Sequence, residues 1–131
     1  MKLVDDIIGQ IVTTGIPKTK ILLLGFSQGA CLALEYAVRN PQRYGGIVGL
    51  SGGLIGDVIR EHSGSMDETP IFLGCSDNDF HIPKERVIES AAVFRGLGAS
   101  VTDRLYPNLG HTVNEDELAA VSRMMAAISE K

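Results

Sequence analysis

This 131-residue sequence has no surplus of positive charge: 12 Lys and Arg stand against 16 Asp and Glu, a net charge of −4, with a pI of about 5.3. Nothing in that balance would neutralise phosphates, so no nucleic-acid partner is expected. No apolar stretch approaches the length that crosses a bilayer, so no membrane span is expected. The start, Met1-Lys2-Leu3-Val4-Asp5-Asp6, is acidic and amphipathic and does not resemble a secretory signal. Cysteine is scarce: Cys31 and Cys75 sit among small or apolar neighbours, read as buried free thiols, and point to a cytoplasmic location. Repeats, low-complexity tracts and interdomain linkers are also missing. The expectation is a single domain over residues 1–131, with 44% hydrophobic residues to build its core.

What is present is a regular alternation of apolar runs and helical patterns. Leu3, Val4, Ile7, Ile8, Ile11 and Val12 recur at helical spacing, and Gly15 and Pro17 end that helix. A strand is expected at about residues 20–25, a helix to Asn40-Pro41, and a second strand at 45–50 broken by Ser51-Gly52-Gly53. A brief helix is expected near residues 55–60 and a third strand at 71–75. Pro83 suits the first turn of a helix running to about Leu97, closed by Gly98. Residues 100–106 alternate as a fourth strand with one polar face, and a last helix runs from Glu115 to about Ser129. Strands alternating with helices imply a parallel α/β sheet. The unalternating apolar runs predict that the first three strands are covered on both faces.

The chemistry concentrates where these strands end. Gly25-Phe26-Ser27-Gln28-Gly29 lies between the apolar run 21–24 and a helical pattern, the setting of a nucleophile elbow. The glycines two residues to either side of the serine are expected to let strand and helix approach. The tight turn would push the Ser27 hydroxyl into open space, with helix N–H groups nearby to meet negative charge. Asp77 and Asp79 follow the third strand, and His111 follows the fourth. In a parallel sheet catalytic groups gather at the carboxyl ends of strands, and the chain order Ser, Asp, His is the α/β-hydrolase order. A serine hydroxyl is a poor nucleophile at neutral pH; an imidazole can take and return its proton, and a carboxylate can hold that imidazole in place.

With these motifs in view, the chain resembles the phospholipase/carboxylesterase family of α/β-hydrolases, which includes acyl-protein thioesterases and small bacterial carboxylesterases. The resemblance rests on Gly-Phe-Ser-Gln-Gly-Ala at 25–30, Leu50-Ser51-Gly52-Gly53, Asp77-Asn78-Asp79-Phe80-His81-Ile82-Pro83 and Gly110-His111-Thr112. It implies a cofactor-independent serine hydrolase of carboxylic esters, with Ser27 as nucleophile, Asp79 as the triad acid, His111 as base and the Gln28 N–H as oxyanion donor. Thioesters are the nearest alternative substrate class, and a weakly active fragment that binds an acyl ligand or a partner is the non-enzymatic one. The resemblance covers nearly the whole chain but only the C-terminal part of the family's fold, truncated here to about four strands. Family members carry further strands and a His-Gly-x-Gly-like loop, a second oxyanion donor, before the matched segment, and this sequence has no such loop.

Phe26, Leu54 and Ile82 lie beside the expected site and are candidates to line an acyl pocket, although ordinary packing explains them as well. Cys75, Asp77, Asp79 and His81 alternate but lack zinc-site spacing, so no metal is expected. The elbow lacks the Gly-Lys-(Ser/Thr) ending of a phosphate loop, so no nucleotide cofactor is expected either. His62 and His81 read as surface residues, and Met124 and Met125 as core or interface. Residues 21–24 are too apolar for a free sheet edge. A second copy of the chain, or a polypeptide carrying further strands, is therefore the expected partner alongside a small-molecule ester.

Overall fold

A computed structural model of the chain describes residues 2–55 and 62–129. Helix α1 (Lys2–Thr13) is followed by a short 3-10 turn at Lys18–Lys20 and by strand β1 (Leu22–Phe26). Helix α2 (Gln28–Arg39) leads to β2 (Gly46–Leu50), and β3 (Pro70–Ser76) leads to helix α3 (Lys84–Gly96). Strand β4 (Ser100–Tyr106) and helix α4 (Glu115–Ser129) complete the order. The first strand begins two residues later than its apolar run suggested, because Lys18–Lys20 are taken up in the turn. The helix expected near residues 55–60 lies largely outside the described residues.

The four strands form one parallel sheet in the order β1-β2-β3-β4. Register aligns their carboxyl ends: Phe26 faces Leu50, Leu50 faces Gly74, and Ser76 faces Tyr106. The loops after β1, β3 and β4 therefore leave the same edge of the sheet.

Two apolar layers sandwich the sheet. On one face Ile47, Ile71, Leu73 and Cys75 meet Ile8 of α1, Leu34 and Ala37 of α2, and Val87, Ala91 and Phe94 of α3. On the other, Val48, Leu50 and Phe72 meet Ala120 and Met124 of α4. Successive side chains of β2 thus enter opposite layers, which is why that strand reads as an unbroken apolar run. Of the two methionines read as core or interface, Met124 packs partly buried against this second layer and Met125 is exposed.

The same expectation fails for β1. It is an edge strand among the described residues, with Leu24 54% and Phe26 42% exposed. Apolar composition reports what a strand is suited to face, and here part of that surface meets water. The opposite edge, β4, alternates in exposure and carries ion pairs, Arg95 with Asp103 at 2.6 Å and Arg104 with Asp116 at 2.7 Å.

Candidate active site

Ser27 occupies the single residue between β1 and α2. Its φ of 58° and ψ of −117° lie in a region that side-chain-bearing residues seldom adopt. The turn is held by Ser27 N–H donating to Leu50 O at 2.9 Å and Cys31 N–H donating to Ser27 O at 3.1 Å. Gly25 makes it possible: a Cβ there would overlap the Gly29 and Ala30 backbone. Gly29 differs from expectation, because a Cβ at that position would meet open space. Only the glycine on the strand side is required by close approach. Gly52 closes the turn from β2, where a Cβ would lie 2.5 Å from the Ala30 Cβ and 2.9 Å from Ser27 O.

A serine at a helix N-cap ordinarily accepts a bond from the first turn. Ser27 makes no such side-chain cap. Its Oγ lies 2.8 Å from His111 Nε2, and His111 Nδ1 lies 2.7 Å from Asp79 Oδ2. An ionised carboxylate can only accept, so Nδ1 carries the imidazole proton and Nε2 is left to accept from the serine hydroxyl. Asp79 Oδ1 accepts His81 N–H at 2.7 Å and Ile82 N–H at 3.2 Å. Burial pushes the Asp79 carboxyl up, but the His111 bond and the two backbone N–H bonds outweigh it and hold it below its usual range. Behind it, burial and then the Asp79 charge push the Cys75 thiol up to about 12, so it stays protonated and points its weak donor at Oδ2, 3.8 Å away.

Asp77, the other acid of this loop, is exposed and accepts Asn108 N–H at 3.1 Å, tying the loops after β3 and β4 together away from the imidazole. Gln28 is the first residue of α2, so its N–H belongs to the first turn that a helix leaves without internal partners. Of the three candidate pocket residues, Phe26 stands beside the imidazole, ring centroids 5.0 Å apart. Leu54 is buried in the core and Ile82 packs against it, so packing accounts for both. Cys31 and Cys75 are free. No group of three metal-ligating side chains occurs among the described residues, and no helix there is long and apolar enough to cross a membrane.

Three residues that the sequence reading gave no part in the site make contact with it. His81 is exposed, as expected of a surface residue, yet its ring lies 4.4 Å from that of His111 between centroids, tilted by 46°. Ser51 is fully buried with a φ of 55° and reaches Thr112 O, the residue after His111, at 3.5 Å. Glu117 is buried beneath the His111 loop. The Asn114-x-x-Glu117 spacing, a helix-start pattern, could have flagged the last; Ser51 and His81 lie inside quoted motifs, but nothing local says what either touches.

A profile of the phospholipase/carboxylesterase family matches residues 1–129. The chain belongs to the phospholipase/carboxylesterase family. Within it, the chain is 31% identical over 129 residues to acyl-protein thioesterase 1 of Gibberella zeae, covering 95% of this chain and 54% of that protein. It is 32% identical over 119 residues to acyl-protein thioesterase 1 of Saccharomyces cerevisiae, covering 88% and 52%. It thus spans about half the length of these relatives. The crystal structure of a phospholipase/carboxylesterase from Dyadobacter fermentans superposes with a TM-score of 0.89 at 38% identity, over 95% of this chain and 61% of that one. The fold is that of this family, the α/β-hydrolase fold, represented here by four parallel strands and their flanking helices.

Proposed function

We propose that the chain carries the catalytic centre of a cofactor-independent serine hydrolase that cleaves carboxylic esters. The observation that carries this reading is the continuous hydrogen-bonded run Ser27 Oγ–His111–Asp79, at 2.8 and 2.7 Å, at the end of a strained turn. Ser27 Oγ attacks the acyl carbon as its proton passes to His111 Nε2. The Gln28 N–H stabilises the oxyanion that forms, and Asp79 stabilises the imidazolium and keeps its tautomer. The imidazolium then protonates the departing alkoxide. Water, deprotonated by the same nitrogen, releases the acid and restores Ser27. No step needs a metal or a cofactor.

Thioesters are the second reading, favoured because the named relatives are acyl-protein thioesterases. The same steps apply with a thiolate as leaving group. A third outcome is a centre of low turnover that binds an acyl ligand or a partner; the Gln28 N–H is the oxyanion donor identified among the described residues, and a missing second donor costs on the order of 10²–10³ in rate. The reading also places the protein in the cytoplasm, where two free thiols persist. It gives β1 a partner strand, from a second copy or from a polypeptide carrying further strands. The test is hydrolysis of short p-nitrophenyl esters and acyl thioesters by the parent and by Ser27→Ala. Ester turnover that disappears in the variant supports the reading. Equal turnover in both, from clean protein, overturns it.

A further inference from the structure

Glu117 has no role in the steps above, yet it is fully buried in the first turn of α4. It forms a reciprocal pair with Asn114, three residues after His111. Asn114 N–H donates to Glu117 Oε1 at 3.1 Å, and Glu117 N–H donates to Asn114 Oδ1 at 2.8 Å. Its second oxygen is spent differently. Glu117 Oε2 is enclosed without a hydrogen-bond partner among the described residues. It is pressed to the Gly74 backbone, where any side chain on that strand residue would collide with it. Burial raises the Glu117 carboxyl above its usual range, against the Asn114 N–H bond, with Asp116 adding to the rise.

An enclosed carboxyl oxygen without a partner is unfavourable, and an apolar residue would fill the space without that penalty. The placement of the carboxyl joins the two halves of the site. Gly74 lies on β3, whose end leads into the Asp79 loop, and its carbonyl accepts Ser51 N–H at 2.7 Å. Ser51 in turn reaches Thr112 O. The four residues from His111 to Asn114 are therefore held at Asn114 by Glu117 and touched at Thr112 by a long Ser51 contact of 3.5 Å, and both Glu117 and Ser51 meet Gly74.

We propose that Glu117 is a positioning residue for His111, seated in the notch left by Gly74 and holding Asn114, so that the imidazole loop is fixed against the strand leading to Asp79. Its consequence for turnover rests on the serine-hydrolase reading; its consequence for the imidazole does not. The test therefore has a substrate-free arm, the two-bond proton–nitrogen NMR correlations of the His111 ring, which report tautomer and hydrogen bonding. Four variants are compared, each checked for fold by circular dichroism: Glu117→Gln, Glu117→Ala, Asn114→Ala and Gly74→Ala.

The Gln variant, which keeps the Asn114 pairing, retains the parent ring pattern. Glu117→Ala and Asn114→Ala shift it toward mixed tautomers. On esters, kcat falls about 10–100-fold in these two, as small misplacements of a catalytic group do, while KM stays within about twofold and Gln restores kcat. Gly74→Ala disturbs the ring in the parent and much less in the Glu117→Ala background, where the added Cβ presses only on the Phe72 ring edge, 3.0 Å away. A folded Glu117→Ala or, should that variant not fold, a folded Asn114→Ala with the parent ring pattern overturns the proposal. An absence of ester turnover in the parent alongside shifted ring signals would overturn the hydrolase reading and leave the positioning role supported.

Discussion

The corner where Ser27, His111 and Asp79 meet and the β1 edge that leads to it are adjacent in the chain and opposite in character. At the corner the polar atoms are interlocked: the serine hydroxyl, both imidazole nitrogens and both Asp79 oxygens have partners. Along Leu22–Phe26 one side of the backbone pairs with β2, and the other has no strand beside it among the described residues. Large apolar side chains there, Leu24 and Phe26, stand substantially exposed. The β4 edge shows how a strand is adapted to solvent, with alternating exposure and ion pairs. Among the described residues β1 has none of that adaptation. The contrast sets a hydrogen-bonded corner built on elbow geometry and strand register beside an apolar strand flank that meets no other strand among the described residues.

The largest effect that would sharpen this contrast is at the corner itself. Ser27→Ala should reduce ester turnover to background while circular dichroism and melting stay near the parent. Next, Asp79→Asn should cost on the order of 10⁴ in kcat, the scale of a wrong imidazole tautomer. Asp77→Ala, which among the described residues removes the bond to Asn108 N–H, should change kcat by less than about tenfold. Comparable losses for the two would reverse the assignment of the acid.

The elbow's steric basis gives a smaller, stability-level test. Gly25→Ala should destabilise by about 1–3 kcal/mol through backbone overlap. Gly29→Ala, facing open space, should be neutral or stabilising by up to about 1 kcal/mol. Denaturant midpoints of the pair decide whether one glycine or both are sterically required.

The β1 edge predicts association. Light scattering after size exclusion at micromolar concentration should show species above 14.0 kDa, and Leu24→Lys should shift them toward monomer, because a charge on an edge blocks strand pairing. A parent that stays a monodisperse monomer, with fast amide exchange along Leu22–Phe26, would show that the edge is tolerated.

The smallest effect concerns acid. The folded Asp79 carboxyl lies below its ordinary value of 3.8. Its contribution to stability is therefore complete above the unfolded value and is lost as pH falls from about 4 through the folded one. Asp79→Asn should lower stability at neutral pH and above, where that contribution is complete, and flatten the acid limb, so that the two curves converge below the folded value.

Much of this was legible in the sequence because the features are local or periodic. Apolar runs ended by Gly25 and Ser51 marked strands, and Pro83 and Gly98 bracketed α3. The parallel order then brought the loops of Ser27, Asp79 and His111 to one edge. What escaped reading depends on three-dimensional neighbours. The redundancy of Gly29 follows from where α2 happens to run. The burial of Leu54 follows from α3, whose Ser90 Oγ accepts the Leu54 N–H at 2.9 Å. The exposure of β1 follows from what lies beside it, which composition does not report. Ser51 acts through a partner 61 positions away in sequence, and His81 lies against the ring of His111, in the loop after another strand.

The most direct measurement on the central claim is mass-spectrometric mapping of a fluorophosphonate adduct on the parent and on His111→Ala. Activation of Ser27 by His111 predicts a stoichiometric adduct on the Ser27 peptide of the parent and at least about 100-fold slower labelling in the variant. No adduct on Ser27 of folded parent protein, or equal labelling rates in the two, would contradict it.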